Sequence, residues 1–420
     1  MKVLVIGNGG RCHAIIDKLS ESEKVDEIYV APGNDGMLPL ARRVDIKVEE
    51  KERLLAFALE NHIDLTVVGP EASLATGIVD LFHENGLKIF GPSKMASRIE
   101  TSKQFAKDLM KKYDIPTADY ETFSDYDKAL SYVHEKGTPI VIKYDGLAAG
   151  KGVVVAMQIK EAEKALKDML LDDRFGPGKV VIEEYLEGPE FSFLCFVDNE
   201  KVYPLELSQD HKRAFDHDLG PNTGGMGCYS PLPFITDDDK KEALEKIMIP
   251  TAKAMVKEEC PFSGVLYGGL MKTKKGIKVI EFNCRFGDPE TEVVLPRLTS
   301  DLYDAFVSLI DHKEPVLTWD KDFYLGVVMA SKGYPEHYSK GHLISGLEKV
   351  QGKIYFMGVK LIEGQYYTDG GRVLIVVNKG KTLLEARDKV MEDIARIHCD
   401  NLFYRSDIAY QAIDKGESHD

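Results

Sequence analysis

The first hundred residues switch hydrophobic period again and again. "KVLVIG", "EIYVA", "LTVVG" and "LKIFG" are apolar runs of strand length, and amphipathic stretches such as "HAIIDKLSES" and "KERLLAFALENH" lie between them. This alternation predicts a parallel sheet with helices on both faces, a Rossmann-like α/β domain. Three of the runs end in glycine, at Gly7, Gly69 and Gly91. In open α/β sheets ligands gather at the carboxyl ends of the strands, so those ends are the first place to look for a site.

The chain has 420 residues, more than one typical domain holds. Beyond the first domain, "TSKQFAKDLMKKYDIPTADY" predicts a helix ending near Asp114, stopped by Pro116. Two strand-helix cycles follow to about residue 190, then a β-rich stretch, a helix near 238–258 and the strands "GVLYGGLMKT" and "IKVIEFN". From about 325 the strands "FYLGVVMA", "KIYFMGVKL" and "GRVLIVV" precede a last long helix. We therefore expect an α/β multidomain protein divided at 1–102, 103–190, 191–324 and 325–420, with a small C-terminal α+β domain. A net charge of −15 argues against a general nucleic-acid footprint. The start "MKVLVIGNGG" enters a strand at once, so no secretory leader is expected, and no apolar run reaches membrane-spanning length. Six scattered cysteines read as reduced thiols of a cytoplasmic protein without a zinc site.

Four stretches carry chemistry. "GNGGRCHA" follows the first strand. A dinucleotide fingerprint needs a third glycine where Cys12 stands and an acid after the second strand, where Pro32 and Gly33 stand. A helix N-terminus still suits a phosphate, with Gly9 and Gly10 allowing close approach and Arg11 adding a bidentate donor; a plain tight turn is the alternative. In "IVIKYDGLAAGKGVVVA" two β-branched strands flank a glycine-rich loop. Lys143 projects from the end of one strand, and Gly146, Gly150 and Gly152 leave room for phosphates to approach the backbone around Lys151. This is no Walker loop, because no helix follows it; it reads either as a lid over a nucleotide or as a hairpin turn without a ligand.

In "VIEFNCRFGDPE" side chains alternate faces. That sends Ile280 and Phe282 to the core and Glu281 with Asn283 to the opposite face, a pair of hard oxygen donors suited to Mg²⁺, with Arg285 following for an anion. The same alternation turns Cys284 away from the metal face. "VVIEEYLEGPE" offers Glu183 and Glu190 near a strand end, and "SQDHKRAFDHDLGPNTGGMG" packs Asp210, His211, Lys212 and Arg213 ahead of a glycine-rich turn. A lone His211 is more often a hydrogen-bonding group than a base.

Taken in order, "GNGGR-HA", "APGN-G", "VVGPE", "SK-FAK", "KYDGLAAGKGVVVA", "SQDHKR", "GPNTGGMG", "EFNCRFGDPE" and "GGRVL" resemble the phosphoribosylamine–glycine ligase (glycinamide ribonucleotide synthetase) family of ATP-grasp enzymes. The resemblance covers essentially the whole chain. It implies ATP-grasp α+β domains and the ligation of glycine to 5-phosphoribosylamine through glycyl phosphate, with ATP and Mg²⁺ or Mn²⁺, in purine biosynthesis. By position it implies Lys103, Lys143, Gly150, Lys151 and Gly152 at the ATP phosphates, Glu183, Glu184 and Leu186 at adenine, and Glu190 at the ribose. It implies Glu281 and Asn283 as metal ligands and Arg285, Lys143 and Asp210 as catalytic groups. Gly10, Arg11, Asn34, Glu71, Asp210, Lys212, Asn222, Thr223, Gly224 and Gly225 fall to the amine substrate and glycine. A monomer acting on small molecules only is expected.

The chain departs from that family in two places. Cys12 stands beside Arg11 where the family commonly has Glu, and Tyr355–Val359 stands where it commonly has a His-Ala-Gly-Thr run. Both are expected to alter local contacts without touching an ATP or metal ligand. Another ATP-grasp carboxylate–amine ligase, a nucleotide sensor on the same fold and a Rossmann dehydrogenase are the competing readings. The retained Glu281–Asn283 pair disfavours the sensor, and the missing third glycine disfavours the dehydrogenase.

Overall fold

The computed structural model describes residues 1–146, 152–172 and 178–416. Residues 1–90 form the expected parallel sheet, ordered Arg42–Arg43, Glu27–Pro32, Lys2–Gly7, Leu65–Val68, Ile89–Phe90. Lys2–Gly7 is central and buried after its first residue, as a strand covered on both faces must be. Its last glycine leads into the helix Gly10–Ser20.

Residues 120–184 form a small unit of four antiparallel strands, ordered Tyr120–Phe123, Val180–Glu184, Ile140–Tyr144, Val153–Ala156. Two helices, Tyr126–Lys136 and Ile159–Leu170, contribute to its core. Ile140, Ile142, Val180 and Ile182 meet Val133 and Leu166 there, in a cluster separate from the two larger cores of the molecule. The intervening Lys143 and Glu183 fall on the other face. The loop expected to act as a lid lies largely at 147–151, outside the described residues.

A second antiparallel sheet joins Lys201–Pro204, Glu190–Asp198, Ser263–Thr273 and Gly276–Asn283. The C-terminal sheet is ordered Gln209–Asp210, Gly227–Ser230, Phe323–Ser331, Arg372–Gly380, Lys353–Phe356, with Leu402–Phe403 also paired to Phe323–Ser331. Asp210 therefore belongs to a sheet built mainly from the end of the chain. The single strand expected over "KIYFMGVKL" is two, Lys353–Phe356 and Val359–Ile362. The amides of Met357 and Gly358 both donate to Val373 O, at 2.8 and 3.0 Å, and this breaks the ladder. Among the described residues no helix is long and apolar enough to cross a membrane.

The departing run at Tyr355–Val359 is where the last domain docks on the first. Tyr355 Oη donates to Asp17 at 3.0 Å, Phe356 N donates to His13 Nδ1 at 2.9 Å, and Asn34 Nδ2 donates to Phe356 O at 3.0 Å. Burial holds the His13 imidazole down at about 4, with Asp17 opposing and Lys353 assisting. A neutral ring is what the Phe356 amide needs as an acceptor.

The unfolded chain binds a proton at His13 near pH 6.5 and the folded chain only near 4, so stability falls as pH drops across that window. A shift of this size is worth roughly 3 kcal/mol. Urea midpoints measured from pH 7 to pH 4 should decline, and His13→Gln, which keeps an acceptor but cannot titrate, should flatten the decline. An equal slope in both proteins would exclude His13 as a source.

Candidate active site

The strand Gly276–Asn283 carries Glu281 and Asn283 in an interrupted register. Gly269 pairs with Glu281 and Leu270 with Val279, so Ile280 is bulged out of the ladder. Val279, and not Ile280, takes the core position beside Phe282, which corrects the expected alternation. Glu281 and Asn283 still share a face, because the bulge precedes them. The bulge also leaves the Ile280 carbonyl free to accept Lys143 Nζ at 3.0 Å. Burial opposes the charge on Glu281, but Lys212, Lys143, Lys103 and Arg285 outweigh it and hold the carboxyl below its usual range.

Lys143 also lies 3.0 Å from Glu183 Oε1, while Glu183 Oε2 lies 3.0 Å from Lys107 Nζ. All three side chains are nearly inaccessible to solvent, at 4% (Lys143), 4% (Glu183) and 2% (Lys107). Lys107 donates in addition to Thr117 Oγ1 at 2.7 Å, and Thr117 donates to Val279 O at 2.8 Å. Burial lowers Lys107 to about 8, with Glu183 pulling the other way. Lys103, on the helix Lys103–Lys112, donates to Gly146 O at 2.9 Å, so it reaches the base of the glycine loop. Glu183, Glu184 and Leu186 line one cleft of about 530 Å³ with Lys136, Ile140 and Lys278. Glu190 stands apart from that cleft, exposed at the start of its strand and 3.7 Å from Lys212 Nζ. Gly150 and Lys151 lie outside the described residues; Gly152 is buried, and its carbonyl accepts Tyr144 N at 2.8 Å.

Arg285 is gripped by two carboxylates, Nε to Glu71 and Nη2 to Glu100, each at 3.0 Å. Arg11 Nη1 lies 3.7 Å from the same Glu71 oxygen and donates to Gly69 O at 3.1 Å. Burial opposes ionisation of Glu71, yet Arg285 and Arg11 hold it down at about 2. Cys284 is buried in the core and points to Glu100, its Sγ 3.1 Å from Oε2. The Cys12 thiol is buried, donates to Ile6 O, and is pushed up to about 12 by burial.

The third group surrounds the segment 210–225. Burial pushes Asp210 up to about 7, with Lys212 opposing and Glu290, Glu190 and Glu281 adding. Thr223 donates from N and Oγ1 to Lys212 O, at 2.7 and 2.8 Å. Asn222, exposed, pairs across a hairpin with Arg213. Arg372 donates to Gly224 O and Asp288 O, at 3.1 and 3.2 Å, and lies 2.9 Å from Asp288 Oδ1. Gly10 has no room for a side chain: a Cβ there would fall 2.3 Å from Glu292 Oε1 and 3.0 Å from Met357. Asn34 acts as a strut, donating to Asn8 O and Phe356 O and accepting Gly36 N. His211 accepts Ala409 N on Nε2 and is held down at about 4 by burial, so it is a neutral hydrogen-bonding group.

Sequence reading missed Lys107, Thr117, Glu100, Asp288 and Arg372. One signal was available: Lys103 and Lys107 are four apart in "SKQFAK", which puts both on one face of a helix.

The chain matches the Phosphoribosylglycinamide synthetase N domain over residues 1–100, the ATP-grasp (A) domain over 101–291 and the C domain over 324–411. The chain belongs to the phosphoribosylglycinamide synthetase family. It is 56% identical to the phosphoribosylamine–glycine ligase of Halalkalibacterium halodurans, over 98% of this chain and 97% of that protein. It is 49% identical to the phosphoribosylamine–glycine ligase of Escherichia coli K12, over the full length of both. The crystal structure of the phosphoribosylamine–glycine ligase of Thermotoga maritima superposes with a TM-score of 0.85 at 33% identity, covering 97% of this chain and all of that one. A biotin carboxylase domain of Hydrogenobacter thermophilus shares the fold, with a TM-score of 0.72 at 16% identity. ATP binding and use of a divalent metal go with the ATP-grasp fold.

Lys107→Met would leave one oxygen of Glu183 buried without its cation, a loss of about 3–5 kcal/mol. Urea denaturation should register that loss, and adding Glu183→Gln should return part of it. Independent, additive effects of the two substitutions would show that the ion pair carries no coupling.

Proposed function

We propose that the chain joins glycine to 5-phospho-D-ribosylamine at the expense of ATP, giving glycinamide ribonucleotide, ADP and phosphate in purine biosynthesis. The observation that carries this reading is an ionised Glu281 ringed by Lys103, Lys143, Lys212 and Arg285, in a chain that matches its family over nearly its whole length. The division into a substrate domain, two ATP-grasp subdomains and a C-terminal domain is part of the same proposal.

The Glu281 carboxylate and the Asn283 amide accept no hydrogen bond among the described residues, and both are hard oxygen donors on one face; they fit a divalent cation. No group of three or more His, Cys, Asp or Glu that could hold a metal ion is found among the described residues; this pair would be its protein anchor. Such an ion, Mg²⁺ or Mn²⁺, supplies positive charge to phosphate oxygens when bound.

The chain's own residues account for the rest. A glycine carboxylate attacking the terminal phosphate of ATP brings two anions together; Lys103, Lys143 and Arg285 offset that repulsion in a partly dehydrated site. The carboxylate oxygen bonds to phosphorus and ADP departs, leaving glycyl phosphate. The amine of phosphoribosylamine then attacks the acyl carbon, phosphate leaves, and the amine's proton passes to Asp210, which burial has made proton-accepting near neutrality. Cys284 takes no part, since it faces Glu100.

Glycine labelled with ¹⁸O in its carboxylate should deliver one labelled oxygen to phosphate per product formed, with freshly made phosphoribosylamine as acceptor. Glu281→Ala should lower turnover by about 10²-fold or more without unfolding the protein. Unlabelled phosphate would refute the acyl phosphate, and faster turnover with another small carboxylic acid would refute glycine as the substrate.

A further inference from the structure

Arg405 is a wholly buried cation, at 0% exposure, in the last segment of the chain. Its guanidinium forks onto Asp407, Nε to Oδ1 at 2.8 Å and Nη2 to Oδ2 at 3.0 Å. Its remaining nitrogen, Nη1, reaches into a different part of the chain, donating to Asp218 Oδ1 at 2.9 Å and to Arg213 O at 3.1 Å. Neighbouring residues repeat the pattern. Tyr410 Oη donates to Asp218 Oδ2 at 2.7 Å, His217 N donates to Asp407 Oδ2 at 2.7 Å, and Ser406 donates from N to Asp216 Oδ1 at 2.9 Å. Ala409 N donates to His211 Nε2 at 3.2 Å. Residues 405–410 thus fasten residues 211–218 from behind.

The fastened segment would not hold this shape by itself. His217 and Asp218 are non-glycine residues in the left-handed region, with φ of 60° and 54°. Such conformations persist where surrounding bonds impose them. Lys212 lies within the segment, and its carbonyl holds Thr223; Arg213 pairs with Asn222. Lys212 is also the first of the cations that keep Glu281 ionised. The position of the 211–218 segment therefore sets where Lys212 and the Asn222–Gly225 turn stand.

We propose that Arg405 is a positioning residue for the ligase reaction: it anchors the 211–218 segment so that Asp210, Lys212 and the Asn222–Gly225 turn meet the amine substrate. This rests on the ligase reading above. Arg405 itself touches no substrate group, and of the groups assigned to ATP, Lys103, Lys143 and Glu183 lie on other segments, while Glu190, exposed and 3.7 Å from Lys212 Nζ, adjoins the fastened one. Its loss should therefore separate the two substrates kinetically, whereas a general loss of stability would not.

Steady-state kinetics of the full chain with Arg405→Met test this. The KM for phosphoribosylamine should rise by about tenfold or more and kcat should fall, as expected for a misplaced substrate group, while the Kd for ATP stays within about twofold. Amide exchange should accelerate across 211–218 and stay unchanged in the strand Phe323–Ser331. Arg405→Lys, which keeps the charge and loses the fork, should fall between the two. If Arg405→Met does not fold, Asp218→Ala carries the test, since it removes the partner on the half-exposed hairpin and leaves the Arg405–Asp407 pair in place. Unchanged KM and unchanged exchange at 211–218 would overturn the proposal, as would equal losses for ATP and the amine. Absence of glycine-dependent turnover in the unsubstituted protein would instead refute the ligase reading, and the exchange measurement would still report on the anchor.

Discussion

Glu183 is the contact on which the placing of the small four-stranded unit depends. A carboxylate out of water costs several kcal/mol unless cations and hydrogen bonds surround it closely. Here those cations come from two segments, Lys107 on the helix Lys103–Lys112 and Lys143 on the strand Ile140–Tyr144. Thr117 and the carbonyls of Val279 and Ile280 extend the network to the strand of Glu281 and Asn283. The small unit has an apolar core of its own, so these directional bonds, and not shared hydrophobic packing, determine how Lys143 meets the strand of Glu281. An ammonium has three donors. Lys143 directs one to Ile280 O and lies 3.0 Å from Glu183 Oε1, so its charge joins both strands.

Arg285 shows the same logic at the junction with the first domain. A guanidinium aimed at a developing negative charge works best when it is already oriented, because no reorganisation is then needed at the moment of reaction. Glu71 and Glu100 hold it from two segments, and Arg11 shares Glu71. The clamp keeps the buried charges paired, and the remaining Nη1 donates to Phe286 O at 3.3 Å. It also explains why "VVGPE" and "EFNCRFGDPE", so distant in the chain, both matter to one position.

How much could be read from the sequence follows from the distance over which each feature is determined. Strand and helix periods are local, so the parallel sheet, the two strands flanking the glycine loop and the Glu281–Asn283 spacing were legible. The Ile280 bulge was not, because it arises from the register against Gly269. Nor was the partner of Lys107, which is Glu183 on a strand far along the chain. The packing at Gly10 was not legible either, because Glu292 and Met357, both remote in sequence, occupy the space a side chain there would need. The joining of Gln209–Ser230 to the C-terminal sheet is likewise a pairing that no local pattern announces.

The two departures from the family meet in one region, and electrostatics relates them. Glu292 is fully buried, and neither of its oxygens receives a hydrogen bond among the described residues. Burial and the adjacent Asp288 push its carboxyl well above the usual range, while Arg372 keeps Asp288 below it. Two carboxyls this close cannot both be charged, so the proton resides on Glu292. Cys12 lies within the influence of both acids, and its thiol, pushed up to about 12, is neutral. A carboxylate there would add a third negative group to a buried pair that already shares one proton. Met357, from the Tyr355–Val359 run, lies with Glu292 against the Gly10 backbone. The neutral thiol and the apolar side chain thus suit a dry acid pair whose one ionised member, Asp288, faces Arg372 and the Arg11 amide.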